Sequence, residues 1–135
     1  MSMNKLLIET PIDLRWRDLD ALNHVNNASF LTFFEEARLR WFAGLPGPWT
    51  SAASQPVLAA VHINYRRQLN WPACVLAQLL CQRIGNTSVT IAHRLVDANA
   101  PDVVYADGDS VLVWIDLASG KSIALPPAVL DACGA

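Results

Sequence analysis

Between positions 18 and 27 the chain concentrates Asp18, Asp20, Asn23, His24, Asn26 and Asn27. An ionised carboxylate can act as a nucleophile or a general base, and histidine can move a proton near neutral pH. These residues stand just before a stretch with helical periodicity. A helix start offers unpaired N–H groups and the positive end of the helix dipole. Such donors stabilise negative charge growing on a carbonyl oxygen. A carboxylate curling back toward that point gives the minimum for acyl transfer, a base or nucleophile beside an oxyanion site. The competing reading is plain capping, because Asp and Asn before a helix usually form turns and N-caps.

Several elements must position these groups. Ile12, Leu14 and Trp16 alternate with Asp13, Arg15 and Arg17, a period of two that predicts a half-buried strand. From Ala28 to Ala43 the period changes. Phe30, Phe33, Phe34, Ala37 and Trp41 form one stripe, with Thr32, Glu35, Glu36, Arg38 and Arg40 elsewhere, which predicts an amphipathic helix about 24 Å long. Asn26 or Asn27 is the expected N-cap, and Gly44 with Pro46 the stop. Residues 45–56 read as a loop. Four strands follow over 57–69, 74–84, 87–96 and 103–117, with a hairpin turn at Gly85-Asn86 and a bulge near Gly108. A turn at 118–121 and a short helix over 126–132 close the chain. One helix followed by a strand run gives an α+β fold, an antiparallel sheet curled around the helix.

With 135 residues, the expectation is one domain covering 1–135. The chain is 53% hydrophobic and 16% charged, with five Trp and four Phe. Part of that apolar excess belongs in a subunit contact or a ligand pocket. A net charge of −2 gives no footprint for nucleic acid. Cys74, Cys81 and Cys133 are odd in number and lack Cys-x-x-Cys spacing, which argues against disulfides and a zinc site. Cys74 and Cys81 read as small core residues in a reducing cytoplasm. Met1 to Ile8 lacks the pattern of a secretion signal, and no apolar run approaches the ~20 residues of a membrane span.

Asp18-x-Asp20, then His24-Val25-Asn26-Asn27, Phe30 and Glu35-Glu36-Ala37-Arg38, together resemble the signature of hotdog-fold thioesterases of the 4-hydroxybenzoyl-CoA type. Tyr65-Arg66-Arg67 with Trp71, Gly85-Asn86-Thr87-Ser88, and Val113-Trp114-Ile115-Asp116 before Ser119-Gly120-Lys121 extend the resemblance over residues 12–121. It implies a hotdog fold, thioester hydrolysis, and paired sheets with sites at subunit contacts. By position, Asp20 matches the catalytic carboxylate and Asn27 the residue whose backbone N–H polarises the thioester carbonyl. Asp18 matches a frequent acidic neighbour. His24 is also similar to a site histidine of acyl-carrier-protein thioesterases, although Leu22 stands where those enzymes have Asn. Asn23 replaces a frequent Gly, and Asn tolerates the positive φ that Gly would supply. Pro72-Ala73 replaces a frequent Gly-Asp.

Arg66 and Arg67 are candidate donors to coenzyme A phosphates; as adjacent residues of the 57–69 strand they face opposite ways, so one ligand takes at most one of them. Thr87 and Ser88 are candidate partners for pantetheine. His62 and His93 read as structural. Ser29 and Ser88 lack the Gly-x-Ser-x-Gly context of a serine nucleophile. The expected function is an acyl-CoA thioesterase acting as a homodimer or homotetramer, with no metal and no cofactor. A non-catalytic acyl-CoA-binding hotdog protein is the alternative. A hotdog hydratase or dehydratase fits less well, because no His-Phe-Pro-Gly type run is present.

Overall fold

The computed structural model describes residues 5–134. Strand β1 (Lys5–Ile12) leads through a 3₁₀ turn at Trp16–Asp18 to helix α1 (Asn27–Ala43). Strands β2 (Ser54–Tyr65), β3 (Val75–Ile84), β4 (Ser88–Asp97) and β5 (Val104–Asp116) follow, and α2 (Pro127–Ala132) comes last. The strands form one sheet in the order β1-β3-β4-β5-β2, and every neighbouring pair is antiparallel. Residues 13–53 therefore cross from one edge of the sheet to the other.

The expected helix and α+β class are present. The first strand was misplaced by the alternation at 12–17. Ile12 ends β1 rather than starting a strand, and Trp16 is exposed. Asp18 breaks the extension: its carboxylate accepts from the Arg15 backbone N–H at 2.8 Å and pairs with the Arg15 guanidinium at 3.0 Å, while Asp18 N–H donates to the Arg15 carbonyl at 2.9 Å and tightens one turn. β2 begins and ends earlier than the 57–69 expectation. No bulge occurs at Gly108, where pairing continues in register with Ile63 on one side and His93 on the other; the register shifts lie at other positions.

Helix α1 lies on the inner face of the sheet, over β1 and β3. Its stripe of Phe30, Phe33, Phe34, Ala37 and Trp41 is buried against Val75, Ala77, Leu79, Val89, Ile91 and Leu95, the inward set of two strongly alternating strands. Because the helix leans toward β1 and β3, the inner side of β2 stays open. Leu58, Val61 and Tyr65, all paired with inward residues of β5, remain exposed. The tryptophans divide. Trp114 is fully buried and Trp41 nearly so, and Trp49 stacks on Phe42 at 4.5 Å. Trp16 and Trp71 stay outside. Cys81 and Cys133 are buried, but Cys74 is exposed rather than a core residue.

Arg38 departs from the expected polar face, since it is buried. Its guanidinium donates to Ser110 Oγ at 3.2 Å, Ser110 Oγ lies 3.2 Å from His93 Nδ1, and His93 Nε2 lies 3.0 Å from the His62 carbonyl. The His93 ring stacks on Phe34 at 3.9 Å. This chain of contacts ties α1 to β5, β4 and β2. A Cβ at Gly108 would overlap the His62 carbonyl and crowd His93 Nε2, so only glycine permits the imidazole to reach across β5 to β2. His93 is structural, as expected, and His62 contributes its carbonyl.

Candidate active site

The loop between the 3₁₀ turn and α1 is a tight hairpin. Leu19 and Val25 form an antiparallel bridge. Asp20 N–H donates to the His24 carbonyl at 2.8 Å, and Asn23 N–H to the Asp20 carbonyl at 3.2 Å. Reversal at this point needs a left-handed residue, and Asn23 supplies it with φ 59°, as its replacement of Gly implied. The loop is braced from outside. Val25 N–H donates to the Leu69 carbonyl at 2.7 Å, and Asn70 Nδ2 to the Asn23 carbonyl at 2.6 Å. Asp18 is buried in its pairing with Arg15, and its carbonyl accepts from Asn26 N–H at 2.8 Å. It is a structural member of the loop.

Asp20 takes part in this turn with one oxygen only. Oδ1 accepts from the Leu22 N–H at 2.8 Å and the His24 N–H at 3.2 Å. Oδ2 accepts no hydrogen bond among the described residues. The two backbone donors, Leu22 first and then His24, hold the carboxyl below its ordinary value of 3.8. The group is thus fixed, ionised at neutral pH, and open on one side.

Asn26 is the N-cap, its Oδ1 accepting from Ala28 N–H at 2.9 Å. Ser29 N–H donates to the Asn26 carbonyl at 2.9 Å. Asn27 N–H is the one passed over. As the first residue of the helix it has no intrahelical acceptor, and it has no other partner among the described residues.

Asp20, His24 and Asn27 line one cavity of about 240 Å³, closed on the far side by Tyr65, Arg66, Arg67 and Gln68. Tyr65 joins the walls: its hydroxyl donates to the Asn27 carbonyl at 3.0 Å, and its ring meets Phe30 edge-on at 5.3 Å. Tyr65 was not singled out by itself as a site residue, though its alternation with Val61 and Ile63 places it on their face. Arg66 and Arg67 both line the cavity, because they lie beyond the end of β2, where strand alternation no longer applies. Arg66 is held by Asp107, with Nε–Oδ distances of 3.1 and 3.2 Å. Arg67 enters no ion pair among the described residues. Thr87 and Ser88 are not in this cavity. They lie at the β3–β4 turn, where Ser88 O accepts from Gly85 N–H at 2.8 Å and Thr87 O from Trp114 N–H at 3.0 Å. No cluster of three or more metal-ligating side chains occurs among the described residues.

Residues 14–133 match the model of the thioesterase-like superfamily. The chain belongs to that superfamily. It is 35% identical to the long-chain acyl-CoA thioesterase FadM of Escherichia coli (strain K12), over 87% of this chain and 90% of that protein. A solved structure from Xanthomonas campestris, whose proposed activity is acyl-CoA thioesterase, is 46% identical and superimposes with a TM-score of 0.78, covering 84% of this chain and 96% of that one. A proposed thioesterase from Pseudomonas aeruginosa is 34% identical with a TM-score of 0.89, covering 95% of this chain and 98% of that one. Membership of this superfamily makes the chain a thioester hydrolase and its α+β architecture the hotdog fold. No helix among the described residues is long and apolar enough to cross a membrane.

Proposed function

We propose that the chain hydrolyses acyl-CoA thioesters, with Asp20 as the reactive carboxylate and Asn27 N–H as the oxyanion donor. The observation that carries this reading is that two residues lining one cavity each hold an unused group: Asp20 an Oδ2 that accepts no hydrogen bond, and Asn27 an unpartnered N–H at the start of α1, among the described residues. The thioester carbonyl oxygen would accept from Asn27 N–H, and the helix dipole would favour the charge gathering there. One such donor is worth ~10²–10³ in rate. In one route Oδ2 attacks the carbonyl carbon, the C–S bond breaks, coenzyme A leaves as thiolate, and water then cleaves the acyl-aspartyl anhydride. In the other, Oδ2 takes a proton from water as its oxygen bonds to the carbonyl carbon, and the C–S bond then breaks to release coenzyme A as thiolate. His24, half-buried on the same wall, serves to orient the loop or to carry a proton. Arg67 is the freer candidate for a coenzyme A phosphate, and Arg66 presents only what Asp107 leaves available.

FadM's long-chain acyl-CoA class supports an aliphatic rather than an aromatic acyl group, and kinship to the 4-hydroxybenzoyl-CoA type remains part of the proposal. A homo-oligomer is also proposed. The β2 edge is unpaired, and Leu58, Val61 and Tyr65 leave an apolar strip beside α1. Two-fold pairing there would cover the strip and supply the acyl group with a second wall. Thr87 and Ser88 can serve a substrate only if a second subunit brings them to the cavity. Free thiols at Cys81 and Cys133 accord with a cytoplasmic setting.

The test is thiol release from a panel of acyl-CoAs. Hydrolysis abolished by Asp20→Asn supports the assignment. Binding of acyl-CoA without turnover would establish the non-catalytic alternative, and hydration of an enoyl-CoA without thiol release would establish the hydratase.

A further inference from the structure

The two loops that carry the cavity walls also meet outside it, at an aromatic pair that the hydrolytic step does not use. Trp16 and Trp71 pack edge to face, with ring centroids 5.4 Å apart and planes at 82°. Both are exposed, Trp16 by 69% and Trp71 by 41%. Trp16 stands shortly before Asp20 and Trp71 shortly after Arg67. The hydrogen bond from Asn70 to the Asn23 carbonyl fastens the two loops beside them. Indole has a large apolar surface that folding normally buries, and an edge-to-face pair leaves a broad ring face open to solvent.

The charges near the pair in the chain are uneven. Arg15 and Arg66 are neutralised by Asp18 and Asp107, whereas Arg17, next to Trp16 in sequence, and Arg67, four residues before Trp71, enter no ion pair among the described residues. Open aromatic planes with unneutralised guanidinium groups a few residues along the chain suit a flat heterocycle attached to phosphates. The base stacks on indole and the phosphates take fork donors. A purely apolar partner would make no use of the arginines. We propose that Trp16 and Trp71 form a stacking platform for the adenine end of the coenzyme A substrate, with Arg17 and Arg67 facing its phosphates. This rests on the acyl-CoA reading above. The spacing is compatible: at 3.3–3.6 Å per residue the backbone from Trp16 to Asp20 spans at most about 14 Å, a gap the pantetheine arm covers.

The experiment compares an acyl-CoA with the acyl-pantetheine thioester of the same acid, which keeps the reacting atoms and lacks the nucleotide. On a stacking platform, Trp16→Ala and Trp71→Ala each lower kcat/KM for the acyl-CoA by about 5- to 100-fold, through KM. Neither changes turnover of the acyl-pantetheine, and Trp16→Phe recovers much of the loss. An equal fall on both substrates overturns the proposal, because the pair then only braces the loops or covers a subunit contact. No change on either overturns it too. A separate titration of 3′-phosphoadenosine 5′-diphosphate alone, followed by tryptophan fluorescence, keeps the two readings apart. Quenching that weakens at least 5-fold in Trp16→Ala supports the platform even if no thioester is cleaved, and absence of quenching in the native protein removes it even if acyl-CoA is hydrolysed.

Discussion

On the proposed reading, Asp20 divides its two oxygens between architecture and chemistry. Oδ1 closes the turn through Leu22 and His24, and Oδ2 accepts no hydrogen bond among the described residues in a side chain that lines the cavity. Asp20→Asn can keep the first function by turning its amide oxygen toward the two N–H donors. The second is lost, so kcat should fall at least ~10²-fold with KM little changed, measured by thiol release. Melting temperature should stay close to native. If Asp20 were only a cap, turnover would survive. Asp18→Asn is the contrasting case, a buried carboxylate committed to Arg15. It should cost about 1–3 kcal/mol in denaturant unfolding and leave turnover of the folded fraction largely intact. The pH profile follows from the same geometry. Backbone donors hold Asp20 below 3.8, and under the proposed mechanism the ionised form is the active one. The acid limb of kcat/KM should therefore lie below the ordinary carboxylate range, and an acid limb above that range would contradict the assignment.

Among the elements, the network from Arg38 to the His62 carbonyl is the one that pH should reach. Burial pushes His93 from 6.5 down to about 4. The folded state thus binds fewer protons than the unfolded state between those values, and stability must fall as pH drops through that window. The full loss is on the order of 3 kcal/mol, and urea unfolding from pH 7.5 to 4.5 should show it. A flat profile would mean that His93 titrates in the fold as it does in the unfolded chain, and would overturn the assignment of a buried neutral imidazole. Gly108→Ala acts on the same junction. The added methyl meets the His62 carbonyl at a φ of 149°, and about 2–4 kcal/mol of stability should be lost.

What could be read from the sequence at this scale follows the strength of each period. α1 and β4 were legible because their apolar positions recur with one period over many residues, and β3 and β5 because each is a long, largely apolar run bounded by turn residues. β1 was not: Leu6, Leu7 and Ile8 run together without alternation, while the false alternation at 12–17 was broken by a contact between Arg15 and Asp18. The loop that carries the candidate carboxylate stood out through its motif and its place before the helix. The engagement of Arg66 was not, because its partner Asp107 is brought near only by the pairing of β2 with β5. Burial of Arg38 was hidden for the same reason, since Ser110 reaches it from a distant strand.

For the whole molecule, the open β2 edge and its apolar strip make assembly testable. Val61→Asp places a charge on the exposed inner side of β2. It should shift sedimentation from an oligomer toward the 14.8 kDa chain and lower activity with it. A stable native monomer with full activity at micromolar concentration would contradict the proposed assembly. The strand order has a further consequence, for the time at which activity arises during folding. β3, β4 and β5 are consecutive neighbours, joined by short connections, and can zip together locally. β1 and β2 attach at opposite edges only after long loops close, and such closures are slow. The crossover over 13–53 is anchored at one end by β1 and at the other by β2, and it carries both Asp20 and α1. The reactive geometry is therefore completed last. After dilution from denaturant, return of sheet signal in far-ultraviolet circular dichroism should precede return of thioesterase activity, and a nascent chain should remain inert until its C-terminal strand has joined the sheet.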